Sequence, residues 1–234
     1  MKLEPKTKLS IIVPVFNEEH LITKSLPAIC GLDLPKEVIV VDDGSSDQTP
    51  TLLLNLQQEF NFTLIRQEPN QGKGAAVKRG LQEISGDYFI ICDADLEYEP
   101  QDIAKLFAAA LELNSTDKPA VIYGSRFAEN PPFSFHYLVN RFLTSLTNLL
   151  FGSRLTDMET CFKLIPRSAL NHIRLDGKRF EIEPEITARL LKLGYQIKER
   201  PISYNRRSYN EGKKITPKDG ILAIITLFKE KLLR

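Results

Sequence analysis

Three carboxylate side chains stand at alternate positions directly after an apolar run. The run covers Tyr88 to Cys92, and the carboxylates are those of Asp93, Asp95 and Glu97. Such a run is typical of a buried strand, and in an extended chain alternate side chains fall on one side. Like charges about 4 Å apart repel by roughly 4 kcal/mol per pair at an effective dielectric constant of about 20, so bulk water or a bound cation must compensate.

Hard oxygen ligands of this kind suit Mg²⁺ or Mn²⁺, which combine a few carboxylates with the phosphate oxygens of a substrate. The same stretch also fits a solvated acidic turn, in which Glu99 and Pro100 open the next helix. The three carboxylates by themselves favour neither interpretation. The choice between a metal site and a solvated turn depends on the strands and helices that position the three carboxylates.

The first half of the chain alternates apolar strand patterns with helix patterns. Strands are predicted at 9–15, 37–41, 62–67, 88–92 and 120–125. Asn17 is a good N-cap and predicts a first helix that runs to about Cys30. Short connections between alternating elements favour a right-handed, mainly parallel, doubly wound α/β sheet with helices on both faces.

Polar side chains collect at the carboxyl ends of these strands, where such sheets bind ligands. They are Asn17, Glu18, Asp42, Asp43, Asp93, Asp95, Glu97 and Arg126. Because these groups meet at one edge of an apolar sheet, the metal interpretation is favoured over the solvated turn. Gly72 and Gly74 let a loop approach this edge, with Lys73 near a phosphate, although the spacing of a nucleotide-triphosphatase phosphate loop is absent.

The alternation stops after Arg126. An aromatic-rich stretch predicts an amphipathic helix over 133–151, for which burial in a helical subdomain and insertion among lipid headgroups are both open. A basic loop over 205–214 contains a glycine and can close over a diphosphate. The last helix is predicted at 217–232, with an apolar face and lysines at its end.

Asp157 and Glu159 follow the aromatic-rich stretch in a polar cluster. Either could be a general base or shape an acceptor pocket. Capping a helix or pairing with Lys163 would explain them equally well.

Charge and cysteine content exclude several classes of protein. The formal net charge is only +1, which argues against a nucleic-acid partner. The segment 196–234 nevertheless has ten Lys and Arg against four acids, which suits phosphate groups or an anionic membrane surface. The three cysteines are widely spaced and odd in number, so neither a disulfide framework nor a zinc site is indicated and a reducing cytoplasm is expected.

The chain shows no apolar signal core and no run of the roughly 18–20 apolar residues that span a bilayer. We therefore expect a single domain over 1–234, with one half at about 9–126 and the other at about 127–234. It would lie in the cytoplasm or peripherally on the cytoplasmic face of a membrane.

Six motifs occur in an order that resembles a known family. They are Pro14-Val15-Phe16-Asn17-Glu18, Val41-Asp42-Asp43-Gly44-Ser45, Gly72-Lys73-Gly74, Asp93-Ala94-Asp95, Gly124-Ser125-Arg126 and the pair Arg207 and Lys213. In this order they resemble the inverting nucleotide-sugar glycosyltransferases of family two, which have the GT-A fold. Within that family the chain is most similar to the dolichyl- or polyprenyl-phosphate mannose and glucose synthases. The resemblance covers about residues 9 to 225.

The resemblance implies a site for a nucleotide diphosphate sugar, either GDP-mannose or UDP-glucose. Its residues would be Pro14, Phe16, Glu18, Val41, Asp43, Lys73, Asp93, Ala94 and Asp95. A Mg²⁺ or Mn²⁺ ion would bind Asp93, Asp95 and Glu97, the last at a position where relatives often have Gln.

The resemblance also implies that the acceptor is a polyprenyl or dolichyl phosphate, held by Arg126 and Arg141. Arg207 and Lys213 would neutralise the leaving diphosphate from the closing loop. The implied catalytic residues are Asp95, Arg126, Asp157, Arg207 and Lys213. Because a phosphate monoester is largely ionised at neutral pH, no general base is required and Asp157 would orient its neighbours.

The expected reaction is metal-dependent, inverting transfer of mannose or glucose to the lipid phosphate. One alternative is a glycosyltransferase with a sugar hydroxyl as acceptor and Asp157 or Glu159 as base. Others are a sugar-nucleotide pyrophosphorylase, whose G-G-x-G-x-R-L start is absent, and a non-catalytic subunit that binds sugar nucleotides. Membrane association would come from the 133–151 helix, the C-terminal helix or a membrane-anchoring partner subunit.

Overall fold

A computed structural model describes residues 7–113, 119–128, 135–207 and 216–233. The described residues form seven strands, seven α-helices and one short 3₁₀ helix, Arg167–Asn171. The strands are β1 (Leu9–Val15), β2 (Lys36–Asp43), β3 (Thr63–Gln67), β4 (Tyr88–Ile91), β5 (Val121–Ser125), β6 (Lys163–Pro166) and β7 (Ile197–Pro201). The α-helices are α1 (Ile22–Cys30), α2 (Thr49–Glu59), α3 (Lys73–Leu81), α4 (Gln101–Leu113), α5 (Phe135–Phe151), α6 (Ile182–Lys192) and α7 (Pro217–Leu232).

The strands form one sheet in the order β3-β2-β1-β4-β6-β5-β7. The pairs β1–β2, β1–β4, β2–β3 and β5–β7 are parallel. β6 lies antiparallel between β4 and β5. The predicted mainly parallel α/β sheet is therefore confirmed, and β6 is an antiparallel insertion that the alternation of strands and helices does not reveal. Because β6 runs the other way, the segment before it lies at the carboxyl edge of the parallel strands.

The central strands are apolar on both faces, as expected for a sheet covered on both sides. Ile11, Ile12 and Val13 of β1 are consecutive and all fully buried. A second, smaller core lies where α5 packs on α7, with Ile197 of β7 against it. Its buried residues are Leu143, Leu155, Met158, Ala223 and Leu227. This second core fixes the later part of the chain beside the sheet.

The first helix begins later than its predicted N-cap. Asn17 has a positive φ of 49°, and its side-chain oxygen accepts a hydrogen bond from the N–H of Ser46 (2.9 Å). α1 starts only at Ile22. The prediction of a cap at Asn17 was wrong because its side chain joins two loops at the edge of the sheet.

The last helix agrees with its predicted bounds, and its start has a clear local cause. Thr216 and Asp219 form a capping box, in which the Asp219 carboxylate accepts from the Thr216 N–H (2.7 Å), and Pro217 occupies the first turn. Across the described ranges, no helix combines the length and the apolar character needed to cross a bilayer.

Candidate active site

A cleft with a volume of about 300 Å³ opens at the carboxyl edge of the sheet. The predicted site residues that line it are Pro14, Phe16, Glu18, Asp43, Lys73, Asp93, Ala94, Asp95, Glu97, Arg126, Glu159 and Arg207. They come from the ends of β1 and β2, from the start of α3, from the loops after β1, β4, β5 and β7, and from the segment before β6. The fold thus gathers most of the predicted site from distant parts of the chain.

Asp43 supports the loop that forms one wall of the cleft. Its carboxylate accepts hydrogen bonds from the backbone N–H groups of Gln71 (2.8 Å) and Gly72 (2.7 Å). Gly72 has a φ of 98°, and a Cβ there would lie 2.5 Å from the carbonyl oxygen of Lys178, so only glycine fits. Val41 does not line the cleft. Its side chain is fully buried in a small core on the side of α3, and its part in binding the nucleotide sugar stays a prediction.

Lys73 belongs to a buried row of alternating charges. Its ammonium lies 2.8 Å from Asp93 Oδ2 and 3.1 Å from Glu183 Oε1, and the other oxygen of Glu183 lies 2.5 Å from Lys163 Nζ. Burial disfavours the charged amine, but the neighbouring carboxylates outweigh it and raise the pKa of Lys73 well above its usual range. The lysine therefore fixes Asp93 and lines the cleft beside it.

Arg207 reaches across the cleft from the segment after β7. Its guanidinium lies 3.2 Å from Asp95 Oδ2 and 3.3 Å from Glu18 Oε2. Burial, with the charges of Asp93 and Glu97, raises the pKa of Asp95 to about 6, and Arg207 opposes that rise. The guanidinium thus partly neutralises an excess of negative charge.

Glu97 is tied to the same segment. One carboxylate oxygen accepts from the Tyr204 hydroxyl (2.7 Å) and the other from the backbone N–H of Arg207 (3.0 Å). The backbone carbonyl of Glu97 also accepts from the N–H of Asn205 (2.8 Å). In this structure Glu97 therefore anchors the strap 204–207 over the cleft.

The acidic residues of the cleft form a candidate site for a divalent cation. Within the part of the chain that the structure describes, no three carboxylate, thiol or imidazole groups converge closely enough to hold a metal ion. The oxygen donors nevertheless suit a hard cation, since Asp95 bears like charge that its surroundings leave uncompensated. Asp93, Asp95 and Glu97 each have a protein partner, namely Lys73, Arg207 and Tyr204. Because Arg207 does not fully offset the like charge around Asp95, this carboxylate is the candidate for the principal ligand. The full set of Asp93, Asp95 and Glu97 stays a prediction.

Arg126 and Asp157 form a buried ion pair at the cleft. Arg126 Nε lies 2.7 Å from Asp157 Oδ2, Nη2 lies 2.7 Å from Oδ1, and the backbone N–H of Arg126 donates to Oδ2 (3.0 Å). The guanidinium also faces the rings of Tyr98, Phe127 and Tyr204, at 5.0–5.9 Å from their centroids. Arg126 lines the cleft, whereas Asp157 is fully buried behind it.

This pairing decides between the interpretations of Asp157. Both of its oxygens accept hydrogen bonds from Arg126 and the side chain is fully buried, which argues against a role as general base. Its pairing with Lys163 is wrong, because that ammonium is bound by Glu183. Its prediction as an orienting residue agrees with the geometry.

Glu159 is the remaining acid from the polar cluster. It lines the cleft, and its Oε1 is shielded from solvent without a hydrogen-bond partner among the described residues. Burial raises the pKa of Glu159 to about 7, against the opposing charges of Lys163 and Arg126. It therefore exchanges its proton near neutral pH.

One predicted cation is not brought into the cleft. Arg141 is exposed on α5, where His136 and Asn140 line the cleft instead. The prediction that Arg141 reaches the acceptor side is not met by its position in this structure. Lys213 lies outside the described residues.

Tyr98, Glu183 and Tyr204 belong to the cleft, although the sequence did not indicate them. Glu183 lies in the first turn of α6, where an acid is expected from the helix dipole alone. Tyr98 directly follows the acidic motif, which was the one available signal. Its hydroxyl accepts from the N–H of Cys161 (3.1 Å) and joins the two halves of the cleft.

Comparison with known proteins places this geometry in a family. Residues 10–174 match the family described as Glycosyl transferase family 2. The chain is 29% identical over 213 residues to a dolichyl-phosphate beta-glucosyltransferase of Trichomonas vaginalis, covering 84% of this chain and 65% of that protein. It is 30% identical over 218 residues to a dolichol-phosphate mannosyltransferase of Pyrococcus furiosus, covering 88% of this chain and 59% of that protein. The chain thus spans less than two-thirds of the length of either relative.

A solved structure shares the fold. Glucosyl-3-phosphoglycerate synthase from Mycobacterium tuberculosis, in complex with Mn²⁺, uridine diphosphate and phosphoglyceric acid, superposes with a TM-score of 0.72 at 18% identity. The match covers 97% of this chain and 80% of that one. At this identity the likeness establishes the fold.

Proposed function

The chain belongs to glycosyl transferase family 2, and on that premise we propose that it transfers a hexose from a nucleotide diphosphate sugar to the phosphate of a polyprenyl lipid. The observation that carries the proposal is that one cleft holds two sets of charged groups. Asp93, Asp95 and Arg207 form one set, and the Arg126 guanidinium is the other. Relatives of similar sequence are named for transfer to dolichyl phosphate.

The set formed by Asp93, Asp95 and Arg207 suits a nucleoside diphosphate. Pro14, Phe16 and Glu18 stand beside the loop that Asp43 holds, and they form a concave wall for a nucleoside. The acidic residues beside this wall would bind the diphosphate through Mg²⁺ or Mn²⁺, with Asp95 as the principal protein ligand. When bound, the cation would stabilise negative charge on the leaving diphosphate. The matching mannosyl and glucosyl relatives make GDP-mannose and UDP-glucose the donors to test.

The Arg126 guanidinium suits a phosphate acceptor. Asp157 occupies Nε and Nη2 of Arg126, while Nη1 makes no hydrogen bond within the described ranges and can donate into the cleft. An arginine held in this way is preorganised, because its side chain is fixed before the ligand arrives. The ring faces of Tyr98, Phe127 and Tyr204 hold the guanidinium from other directions.

The reaction then needs little proton chemistry. An ionised oxygen of the acceptor phosphate attacks the anomeric carbon of the hexose, and a new carbon–oxygen bond forms. The bond from that carbon to the nucleoside diphosphate breaks, and the diphosphate leaves with the electron pair. Arg207 lies beside Asp95, where it can neutralise that developing charge. The burial of Asp157 agrees with a mechanism that requires no general base.

A lipid acceptor also calls for a surface that meets a membrane. α5 and α7 pack together and each leaves an apolar face exposed. The exposed residues are Leu138, Phe142 and Leu149 on α5, and Ile221, Ile225, Phe228 and Leu232 on α7. Lys231 lies 5.7 Å from the ring of Phe151 and links the basic last turn of α7 to the end of α5. We propose that these two faces rest on the cytoplasmic face of a membrane.

One other acceptor deserves a test, because Glu159 lines the cleft with a pKa of about 7. Such a carboxyl could serve as base for a sugar hydroxyl acceptor.

The experiment that tests the proposed function is transfer of labelled hexose from UDP-glucose or GDP-mannose, with Mg²⁺ or Mn²⁺, in the presence of a polyprenyl phosphate. Formation of a labelled lipid by the wild-type protein supports the proposal. Transfer only to a sugar acceptor would support the alternative.

A further inference from the structure

Glu159 is held by a rigid stretch of backbone. On one side, the N–H groups of Thr156 and Asp157 donate to the Glu199 carboxylate at 2.8–3.0 Å. Directly beside Glu159, the N–H of Met158 donates to Thr144 Oγ1 (3.0 Å). Both contacts are buried or partly buried, so the main chain that carries Glu159 has little freedom. A side chain on such a rigid backbone is suited to binding a ligand specifically.

The nearest cations are already committed to other acids. Lys163 Nζ lies 2.5 Å from Glu183, and Arg126 is paired through two nitrogens with Asp157. This leaves Glu159 Oε1 shielded from solvent without a partner among the described residues. A buried polar atom without a hydrogen bond destabilises the folded chain, so such atoms need a structural or functional explanation.

The chemistry of the surroundings narrows the choice of ligand. Around Glu159 the charges of Lys163 and Arg126 are matched by those of Glu183 and Asp157, and an ionised Glu159 would itself repel a phosphate or diphosphate. A neutral polyol is not repelled, and its hydroxyl groups can donate to a carboxylate or accept from a protonated carboxyl. The pKa of Glu159 near 7 is compatible with either arrangement.

The position in the cleft points to the same ligand. Tyr98 and Cys161 line the cleft together with Glu159. Through its contacts with the Cys161 N–H (3.1 Å) and the Arg126 guanidinium (5.9 Å), Tyr98 connects this wall to the acceptor side. Lys73 lies 3.7 Å from Cys161 Sγ and 2.8 Å from Asp93, which connects it to the donor side. The transferred sugar must lie between the residues proposed to bind the acceptor and those proposed to bind the donor.

We propose that Glu159 hydrogen-bonds a hydroxyl group of the transferred hexose and thereby selects the donor sugar. The inference rests on the proposed function, because it takes the cleft to hold a nucleotide diphosphate sugar. Glu159 is then a binding residue for the sugar, and the nucleoside and diphosphate do not touch it.

The test compares the sugar nucleotide with its nucleotide. Dissociation constants for UDP-glucose, UDP, GDP-mannose and GDP are measured by calorimetry with Mn²⁺ and without acceptor. For the preferred pair, Glu159→Ala should weaken sugar-nucleotide binding about ten- to hundred-fold, the effect of one hydrogen bond to an ionisable group, and change nucleotide binding less than twofold. Glu159→Gln keeps a carbonyl acceptor and should recover part of the loss. The exposed Glu83→Gln on α3's side of the sheet serves as the control.

A series of monodeoxy donors identifies the hydroxyl. One analogue should bind wild type as weakly as the parent donor binds Glu159→Ala, and it should lose nothing further in that variant. Equal losses for every analogue in both proteins would overturn the inference. So would a variant that binds donor normally but loses its turnover number, because that result makes Glu159 a base. If Glu159→Ala does not fold, the same comparison is made with Glu159→Gln.

The two proposals fail differently. Donor binding that depends on Glu159, without any transfer to a polyprenyl phosphate, would contradict the proposed acceptor and support the sugar contact. Transfer to the lipid phosphate with an unchanged binding ratio would support the function and overturn the sugar contact.

Discussion

Arg126 and Asp157 meet in a two-point ion pair, with Nε–Oδ2 and Nη2–Oδ1 distances of 2.7 Å, in which Asp157 is fully buried. Removing one partner of such a pair leaves an uncompensated buried charge. The pair therefore explains why an aspartate without access to the cleft matters to the site. It holds the guanidinium that faces the acceptor.

We predict that Asp157→Asn lowers the free energy of unfolding by about 3–5 kcal/mol, because Arg126 would be left buried without its counter-charge. Urea denaturation measures this loss. The double variant Arg126→Met with Asp157→Leu should recover much of the stability and still fail to transfer hexose. Full activity of the double variant would contradict the role given to Arg126.

Lys73 should be a structural cation as well as a cleft residue. Lys73→Met leaves the carboxylates of Asp93 and Glu183 without their shared partner, and we expect a loss of about 3 kcal/mol in the free energy of unfolding. Lys78→Met, which removes only a hydrogen bond to the backbone of Asp176, is the matched control on the same helix. Equal stabilities of the two variants would show that the buried row of charges is not needed.

Arg207 contacts two acids, Glu18 and Asp95, from one planar group. Lysine keeps the charge but cannot bridge both. Arg207→Lys should reduce the turnover number about 100-fold with little change in KM for the acceptor, because its role is to stabilise the leaving diphosphate. Arg200→Lys, on exposed β7, should leave both parameters unchanged. A change confined to the KM for the acceptor would show that Arg207 binds the acceptor and does not stabilise the leaving diphosphate.

Glu159 should make stability depend on pH. Its pKa is about 7 in the folded chain and near 4.5 when unfolded, so the folded state binds the proton more tightly. Stability conferred by the protonated form is therefore lost as pH rises from about 4.5 to about 7. The groups that face it are Lys163 and Arg126, which favour the charged form, and Glu183 and Asp157, which oppose it.

Glu159→Gln should accordingly match wild type near pH 4.5 and be more stable by on the order of 3 kcal/mol above pH 7. Urea denaturation at both pH values measures this difference. A difference that does not change with pH would contradict the raised pKa.

The exposed faces of α5 and α7 should bind lipid vesicles. Phe142→Glu combined with Ile225→Glu places charges on both faces, and we expect vesicle binding to fall about tenfold or more without a change in melting temperature. Leu54→Glu, at a similarly exposed position on α2, is the control. Sedimentation with vesicles containing anionic lipid measures the binding. Unchanged vesicle binding by the double variant would contradict the proposal that the exposed faces of α5 and α7 bind the membrane.

The sequence located the parts of the site whose signals are local. Asp93 and Asp95 follow an apolar strand, and the carboxyl ends of parallel strands meet at one edge, so their place in the cleft follows from strand order alone. The capping residues Thr216 and Asp219 likewise sit next to the helix that they start.

Other features depended on contacts between distant residues, which no local pattern records. The partner of Asp157 is 31 positions away, and Glu183 reaches Lys73 from another helix. Val41 and Asp43 lie on the same strand, but only Asp43 lines the cleft. Glu97 was expected to bind a metal, and its contact with Tyr204 spans 107 positions.

The most direct test of the central claim compares two acceptors that differ only in a phosphate. Labelled UDP-glucose or GDP-mannose is incubated with the protein and Mn²⁺, together with either a polyprenyl phosphate or the corresponding polyprenol. The account predicts that label enters the lipid only when the phosphate is present, and that the Arg126→Met, Asp157→Leu double variant gives none. Equal labelling of the alcohol, or no labelling of the phosphate with either donor, would contradict it.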